Sequence, residues 1–79
     1  MEVLLFGITR EIVGADTLLV PREAGIDNVA DLRAWLSDQY PQFKGLSSLA
    51  VAVDSEYATD EQALAENAEI ALIPPVSGG

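Results

Sequence analysis

EIALIP, residues 69–74, is the stretch on which the reading of this fold turns. Its apolar residues, Ile70, Leu72 and Ile73, sit in a short run rich in β-branched side chains, the mark of a strand. Pro74 closes the run because proline brings no N–H to a ladder. A strand this apolar belongs in the middle of a sheet, with neighbours on both sides, rather than at an edge. A chain that leaves the middle of a sheet projects from one end of the domain. The residues that follow, PVSGG (75–79), are therefore expected to be presented rather than tucked away.

Outward from that strand, LAVAVD (49–54) reads as a second, small and strongly apolar strand, expected to be buried on both faces or nearly so. SEYATD predicts a short edge piece around Tyr57. EQALAENA reads as a turn and connection, with Asn67 available for a left-handed position. Further upstream, DNVADLRAWLSDQYP (27–41) carries the clearest helical signal. Asp27 or Asn28 can cap it, and Asp31 lies in the first turn, where the helix dipole favours an acid. Val29, Leu32, Leu36 and Tyr40 recur at spacings of three and four, with Trp35 beside Leu36, so one face is apolar. Pro41 ends the helix. QFKGLS then predicts a loop with one helical turn, its Phe43 and Leu46 filling the base of the core. At the start of the chain, EVLLFGI (2–8) and ADTLLVP (15–21) read as strands joined by a turn or loose helical loop, TREIVG, and so as an antiparallel hairpin. The order predicts an α+β fold, one mixed sheet wrapped on one main helix.

Composition narrows the function. Seventy-nine residues make one domain near the size at which a hydrophobic core alone can hold a fold, and a 49% hydrophobic fraction is that of a globular chain. The chain contains neither cysteine nor histidine, which removes disulfides, thiolate ligands, the cysteine nucleophile and the commonest general base. A self-contained hydrolase or a zinc enzyme is not expected. The formal charge of −9 repels nucleic acid and suits a basic protein partner, whose approach it would steer; plain solubility is the competing explanation. The acids Asp54, Glu56, Asp60 and Glu61 lack the regular spacing of a cation-binding loop and read as a solvated face, so no metal is expected. Apolar runs such as VLLFGI are too short to span a bilayer and no leader is read, so no membrane partner is expected and the cytoplasm is the expected compartment.

The end of the chain carries the chemistry. Beyond Pro75 stand four residues with a reach of roughly 14 Å when extended. Gly78 and Gly79 lack a Cβ and Ser77 is small, so this segment could pass a narrow channel, while Pro74 and Pro75 stiffen its base. The carboxylate of Gly79 is the group able to carry covalent chemistry. An α-carboxyl group, with an ordinary pKa of about 3.3–3.7, is ionised and a poor electrophile until it is coupled to AMP. A sulfur nucleophile could then displace AMP and leave a thiocarboxylate. The chain offers no phosphate-binding loop, so another protein must supply ATP binding. A frayed end is the bland alternative.

LIPPVSGG at the end, with LLFGITREIVG near the start, resembles the small, sulfur-carrying subunits of molybdopterin synthase, along essentially the whole chain. The resemblance implies a ubiquitin-like β-grasp domain over residues 1–75 and an extended Gly-Gly tail over 76–79. It implies that Gly79 is adenylated by an E1-like activating enzyme at the expense of ATP and converted to a thiocarboxylate, the chain itself binding no cofactor. The tail then enters the large synthase subunit and gives sulfur to a pterin precursor, building a dithiolene. Gly79 matches the sulfur-bearing glycine, Gly78 its neighbour, and Pro74, Pro75, Val76 and Ser77 the docking stem. Phe6 matches an aromatic position of the first strand that faces the partner, with ordinary core as the alternative; Arg10 and Glu11 match a family pair, read either as a local ion pair or as a partner contact. Asn67-Ala68 stands where many members have a Gly-Asp turn. A carrier for thiamine or another thiolated product, a protein modifier joined through Gly79, and an inert ubiquitin-like module are the rival readings.

Overall fold

The computed structural model describes residues 1–46 and 48–74. The chain runs β1 (Glu2–Leu5), α1 (Ile8–Val13), β2 (Thr17–Leu19), a 3-10 turn, α2 (Val29–Gln39), a second 3-10 turn (Pro41–Gly45), β3 (Ala50–Val53), β4 (Glu56–Tyr57) and β5 (Ile70–Ile73). The five strands form one sheet in the order β2-β1-β5-β3-β4, so the last strand is central, as its apolarity predicts. It runs parallel to β1 and antiparallel to β3. β1 and β2 form the expected antiparallel hairpin.

The ends of α2 show how its polar groups are satisfied. A helix leaves its first N–H groups without internal partners. Here Val29 N–H donates to the Gln62 carbonyl at 3.0 Å and Ala30 N–H to that of Asp60 at 2.9 Å. Asp31 N–H donates to Asn28 Oδ1 at 2.8 Å, so of the two candidate caps Asn28 serves. The Asp31 carboxylate reaches back to accept from Asp27 N–H at 3.1 Å. The connection between β4 and β5 is thereby bound to the helix N-terminus, and Leu64 N–H donating to the Asp27 carbonyl holds it there. Arg33 adds a second fastening, donating to Asp60 at 2.9 Å and to the Leu49 carbonyl at 2.7 Å.

Val29, Leu32 and Leu36 of α2 pack on the inner face of the sheet, where Val3, Leu5, Val51, Ile70 and Leu72 are buried. Trp35 and Tyr40 are partly covered at the margin, and Phe43 fills the base of the core with Leu46 beside it.

Four expectations need correction. TREIVG, read as a turn or loose helical loop, is helical but not loose; α1 starts one residue earlier at Ile8, runs six residues and is closed by Gly14 in the left-handed region, whose N–H donates to the Arg10 carbonyl at 2.7 Å. β2 is shorter than ADTLLVP, because Ala15 and Asp16 are spent leaving that helix. β3 is not buried on both faces: Val51 and Val53 point inward, while Ala50 and Ala52 are half-covered on the other side. Asn67 does not adopt positive φ; Ala68 N–H closes onto the Ala65 carbonyl in a turn that, like a type I turn, has no need of it. Among the described residues, the positive-φ positions other than glycine are Asp54 (φ 49°) and Ser55 (φ 71°), the two-residue link of the β3–β4 hairpin, where a primed turn requires positive φ at both positions. Asp54 is held there by two bonds with Glu69, its N–H donating to the carbonyl at 2.8 Å and its Oδ1 accepting the N–H at 3.0 Å.

Candidate functional site: the β1–α1 knuckle and the open sheet face

β1 ends at Leu5, and Phe6 lies one step past the strand with 47% of its surface exposed, so the core reading of this residue is overturned. The backbone around it is locked by Thr9. The Thr9 hydroxyl donates its proton to the Phe6 carbonyl at 2.6 Å and accepts from Phe6 N–H at 2.9 Å. Thr9 N–H also donates to the Phe6 carbonyl, at 3.1 Å. A hydroxyl has one proton to give and lone pairs to accept with, and both capacities are used on one residue. Thr9 is fully buried, so the clamp operates away from water. Between them, Gly7 takes φ 55°, ψ −131°, a conformation that L side chains rarely adopt.

Pro74 meets this knuckle from the end of β5. A Cβ placed on Gly7 would lie 2.9 Å from Pro74 Cγ, so the proline ring rests against bare backbone. Arg10, on the next turn, pairs with Asp16 at 2.8 Å and not with Glu11; both partners are largely exposed, and such a pair contributes little.

The sheet face opposite α2 is the second part of the site. The strand register aligns Thr17, Leu4, Ala71, Ala52 and Tyr57 in one row across all five strands. Two alanines at the centre with larger side chains to either side make a trough. Phe6 and Ile73 extend its walls, giving an apolar groove of about 340 Å³ with Ser55 and Glu69 at the rim. Tyr57 is 77% exposed. Of the acids Asp54, Glu56, Asp60 and Glu61, Asp54 holds Glu69 and Asp60 holds Arg33.

Of the residues the sequence singled out, Phe6 and Pro74 are brought to one end of the sheet. Pro75, Val76, Ser77, Gly78 and Gly79 lie outside the described residues, as does the expected boundary between domain and tail. Sequence reasoning missed Gly7, Thr9 and the trough. Ala50 and Ala52 in β3 and Ala71 in β5 were a usable signal, since alanines on one face of adjacent strands leave it shallow where larger side chains would fill it.

The ThiS family profile matches residues 3–79. This chain belongs to the ThiS family. Among relatives, the molybdopterin synthase sulfur carrier subunit of Caenorhabditis briggsae is 36% identical over 84 residues, covering 100% of this chain and 96% of that protein. The solution structure of small archaeal modifier protein 1 from Methanosarcina acetivorans superposes with a TM-score of 0.78 at 26% identity, covering 99% of this chain and 94% of the other. A chain in the complex of subunits 1 and 2 of the molybdopterin-converting factor from Helicobacter pylori shares the fold, with a TM-score of 0.66 at 24% identity over 99% of this chain and 96% of that one. The mixed five-stranded sheet on one main helix is the ubiquitin-like β-grasp fold. Among the described residues of this ThiS-family chain, no helix is long and apolar enough to cross a membrane.

Proposed function

We propose that this chain is a sulfur carrier of molybdenum-cofactor biosynthesis, working in the cytoplasm as the small subunit of a molybdopterin synthase. The full-length alignment with a relative of that name carries the proposal; the segment LIPPVSGG supports it, with the small and stiff residues a threaded peptide needs. The Gly79 carboxylate attacks the α-phosphate of ATP in an E1-like activating enzyme, forming a C–O–P link as pyrophosphate leaves. A sulfide-equivalent nucleophile then adds to the carbonyl carbon. The C–S bond forms, the bond to AMP breaks with its electron pair, and a thiocarboxylate remains. In the large synthase subunit the sulfur attacks a carbon of a pterin precursor and displaces an oxygen leaving group from it; water then adds to the acyl carbon, the acyl C–S bond breaks with its electron pair on sulfur, and the carboxylate returns. This chain binds no cofactor of its own in that cycle; ATP is consumed by its activator.

The open groove is the surface offered to the large subunit. It is apolar, it adjoins Pro74, and it sits on a body of charge −9 that favours a basic rim on the partner. The test is an intact-mass measurement after incubation with the activating enzyme, ATP and a sulfide source. The expected change equals one oxygen replaced by sulfur, lost when Gly79 is deleted. Synthase activity that survived that deletion would falsify the proposal.

A second reading, a protein modifier joined through Gly79 to lysines of other proteins, is favoured by the structural likeness to a small archaeal modifier protein. Activation is common to both. Adducts of the intact chain on cellular proteins, absent with Gly79 deleted, would support it. The family match also leaves room for a thiamine carrier; rescue of a thiamine defect and not a molybdenum-cofactor defect would select that pathway.

A further inference from the structure

We propose that Gly7 is a positioning residue for the reacting end of the chain, acting through Pro74; this deepens the sulfur-carrier reading and rests on it. The parallel register pairs Leu5 with Leu72, so two steps further along both strands Gly7 stands opposite Pro74. The ladder cannot continue there, because proline has no N–H to contribute. The close approach of the ring to Gly7 takes its place, with only 2.9 Å between Pro74 Cγ and the point a Gly7 Cβ would occupy. That spacing is shorter than a carbon–carbon contact, so any side chain at residue 7 pushes the proline off its seat.

The seat itself does not yield. Phe6, on one side of Gly7, is clamped by Thr9 through both its N–H and its carbonyl. On the other side the Gly7 carbonyl accepts from Arg10 N–H at 3.1 Å, as the first bond of α1. Displacement therefore falls on Pro74, the residue whose ring fixes its own φ and through which the remaining five residues are joined to the sheet. Those five residues span roughly 17 Å when extended, so a small change in direction at their root becomes a larger one at the carboxyl carbon. The groove meets this contact only at one end, where Phe6 and Ile73 precede Gly7 and Pro74 in the chain, and its floor of Leu4, Ala52, Ala71 and Tyr57 lies further along the sheet. Gly7 thus governs where the carboxylate is delivered, separately from how the sheet face docks.

The experiment measures thiocarboxylate formation by intact mass, with the activating enzyme, ATP and sulfide, as separate kcat and KM values. Four variants of the full chain are compared with the unaltered protein: Gly7→Ala, Pro74→Ala, the double variant, and Gly25→Ala. Gly25 also has positive φ, at 67°, but a Cβ there meets nothing within 4 Å, so it reports backbone strain alone. Gly7→Ala is expected to lower kcat by about ten- to a hundredfold, the scale on which ångström misplacement acts, with KM little changed; its melting temperature falls further than that of Gly25→Ala, because φ 55°, ψ −131° is harder for an L residue than the left-handed geometry of Gly25. The double variant is expected to keep the backbone strain of Gly7→Ala as a lower melting temperature, but to show a kcat no lower than that of Pro74→Ala alone, since the collision has been removed. An unchanged kcat in Gly7→Ala overturns the proposal, as do losses that simply multiply in the double variant. Should Gly7→Ala fail to fold, its folded double variant still decides, by matching Pro74→Ala or falling well below it. If the unaltered chain takes up no sulfur, the carrier reading itself falls, an outcome seen without any substitution.

Discussion

The two faces of the sheet are made by the same strands, yet one is sealed and the other is open. On the inner face, Val3, Leu5, Val51, Ile70 and Leu72 meet α2 and have almost no exposure. On the outer face, the neighbouring positions along β3 and β5 are Ala52 and Ala71, with Leu4 and Tyr57 beside them. Both faces are apolar. They differ in volume: branched side chains fill the space beneath a helix, whereas alanines keep the outer floor low and leave room for an incoming surface. Alternation of large and small, more than alternation of apolar and polar, divides stability from recognition in this domain.

The sharpest way to break that division is Leu72→Ala on the sealed face, expected to cost about 2–5 kcal/mol in chemical denaturation. A chain of this length holds about 4–12 kcal/mol in total, so much of its stability would go; a loss under 1 kcal/mol would mean the inner face is not the main store. On the open face Tyr57→Ala should reverse the pattern. Calorimetry with the large synthase subunit is expected to show binding weakened by about 2 kcal/mol, with unfolding changed by less than about 0.5 kcal/mol. A stability loss equal to the binding loss would erase the distinction between faces. Thr9→Val, which keeps the shape but strands the Phe6 N–H, should cost about 1–2 kcal/mol of stability and blur the Phe6 amide and ring signals in NMR spectra. Arg10→Ala closes the series: its exposed pair with Asp16 is expected to contribute about 0.2–1 kcal/mol, and a loss that persists in molar salt would show a contact of another kind.

What could be read from the sequence follows from how local each signal is. The helix of residues 29–39 announces itself through its cap, its spacing and its stopping proline, all within one segment. The central place of β5 was legible because its run is apolar on both faces, although only Ile70 and Leu72 are sealed and Ala71 and Ile73 line the open groove. α1 was not, since six residues with no side-chain cap carry too little periodic signal, and its shape depends on Gly7, Thr9 and Gly14 acting together. The left-handed pair was misplaced for a related reason. Asparagine tolerates positive φ anywhere, but Asp54 is held in it by Glu69, fifteen residues away, and no local rule sees that partner. At the site, Phe6 was found by resemblance, and Pro74 by its place at the end of an apolar strand as well. Their link through Gly7 needed the parallel register, a property of the sheet and not of either segment.

That register has a mechanical side. A terminal strand at the edge of a sheet can be peeled away one bond at a time when its end is tugged. β5 is held along both flanks, so a pull on the chain beyond Ile73, directed along the strand, loads the bonds to β1 and β3 together, in shear. A partner could haul on such a handle, withdraw it and haul again, and the body would ride along intact.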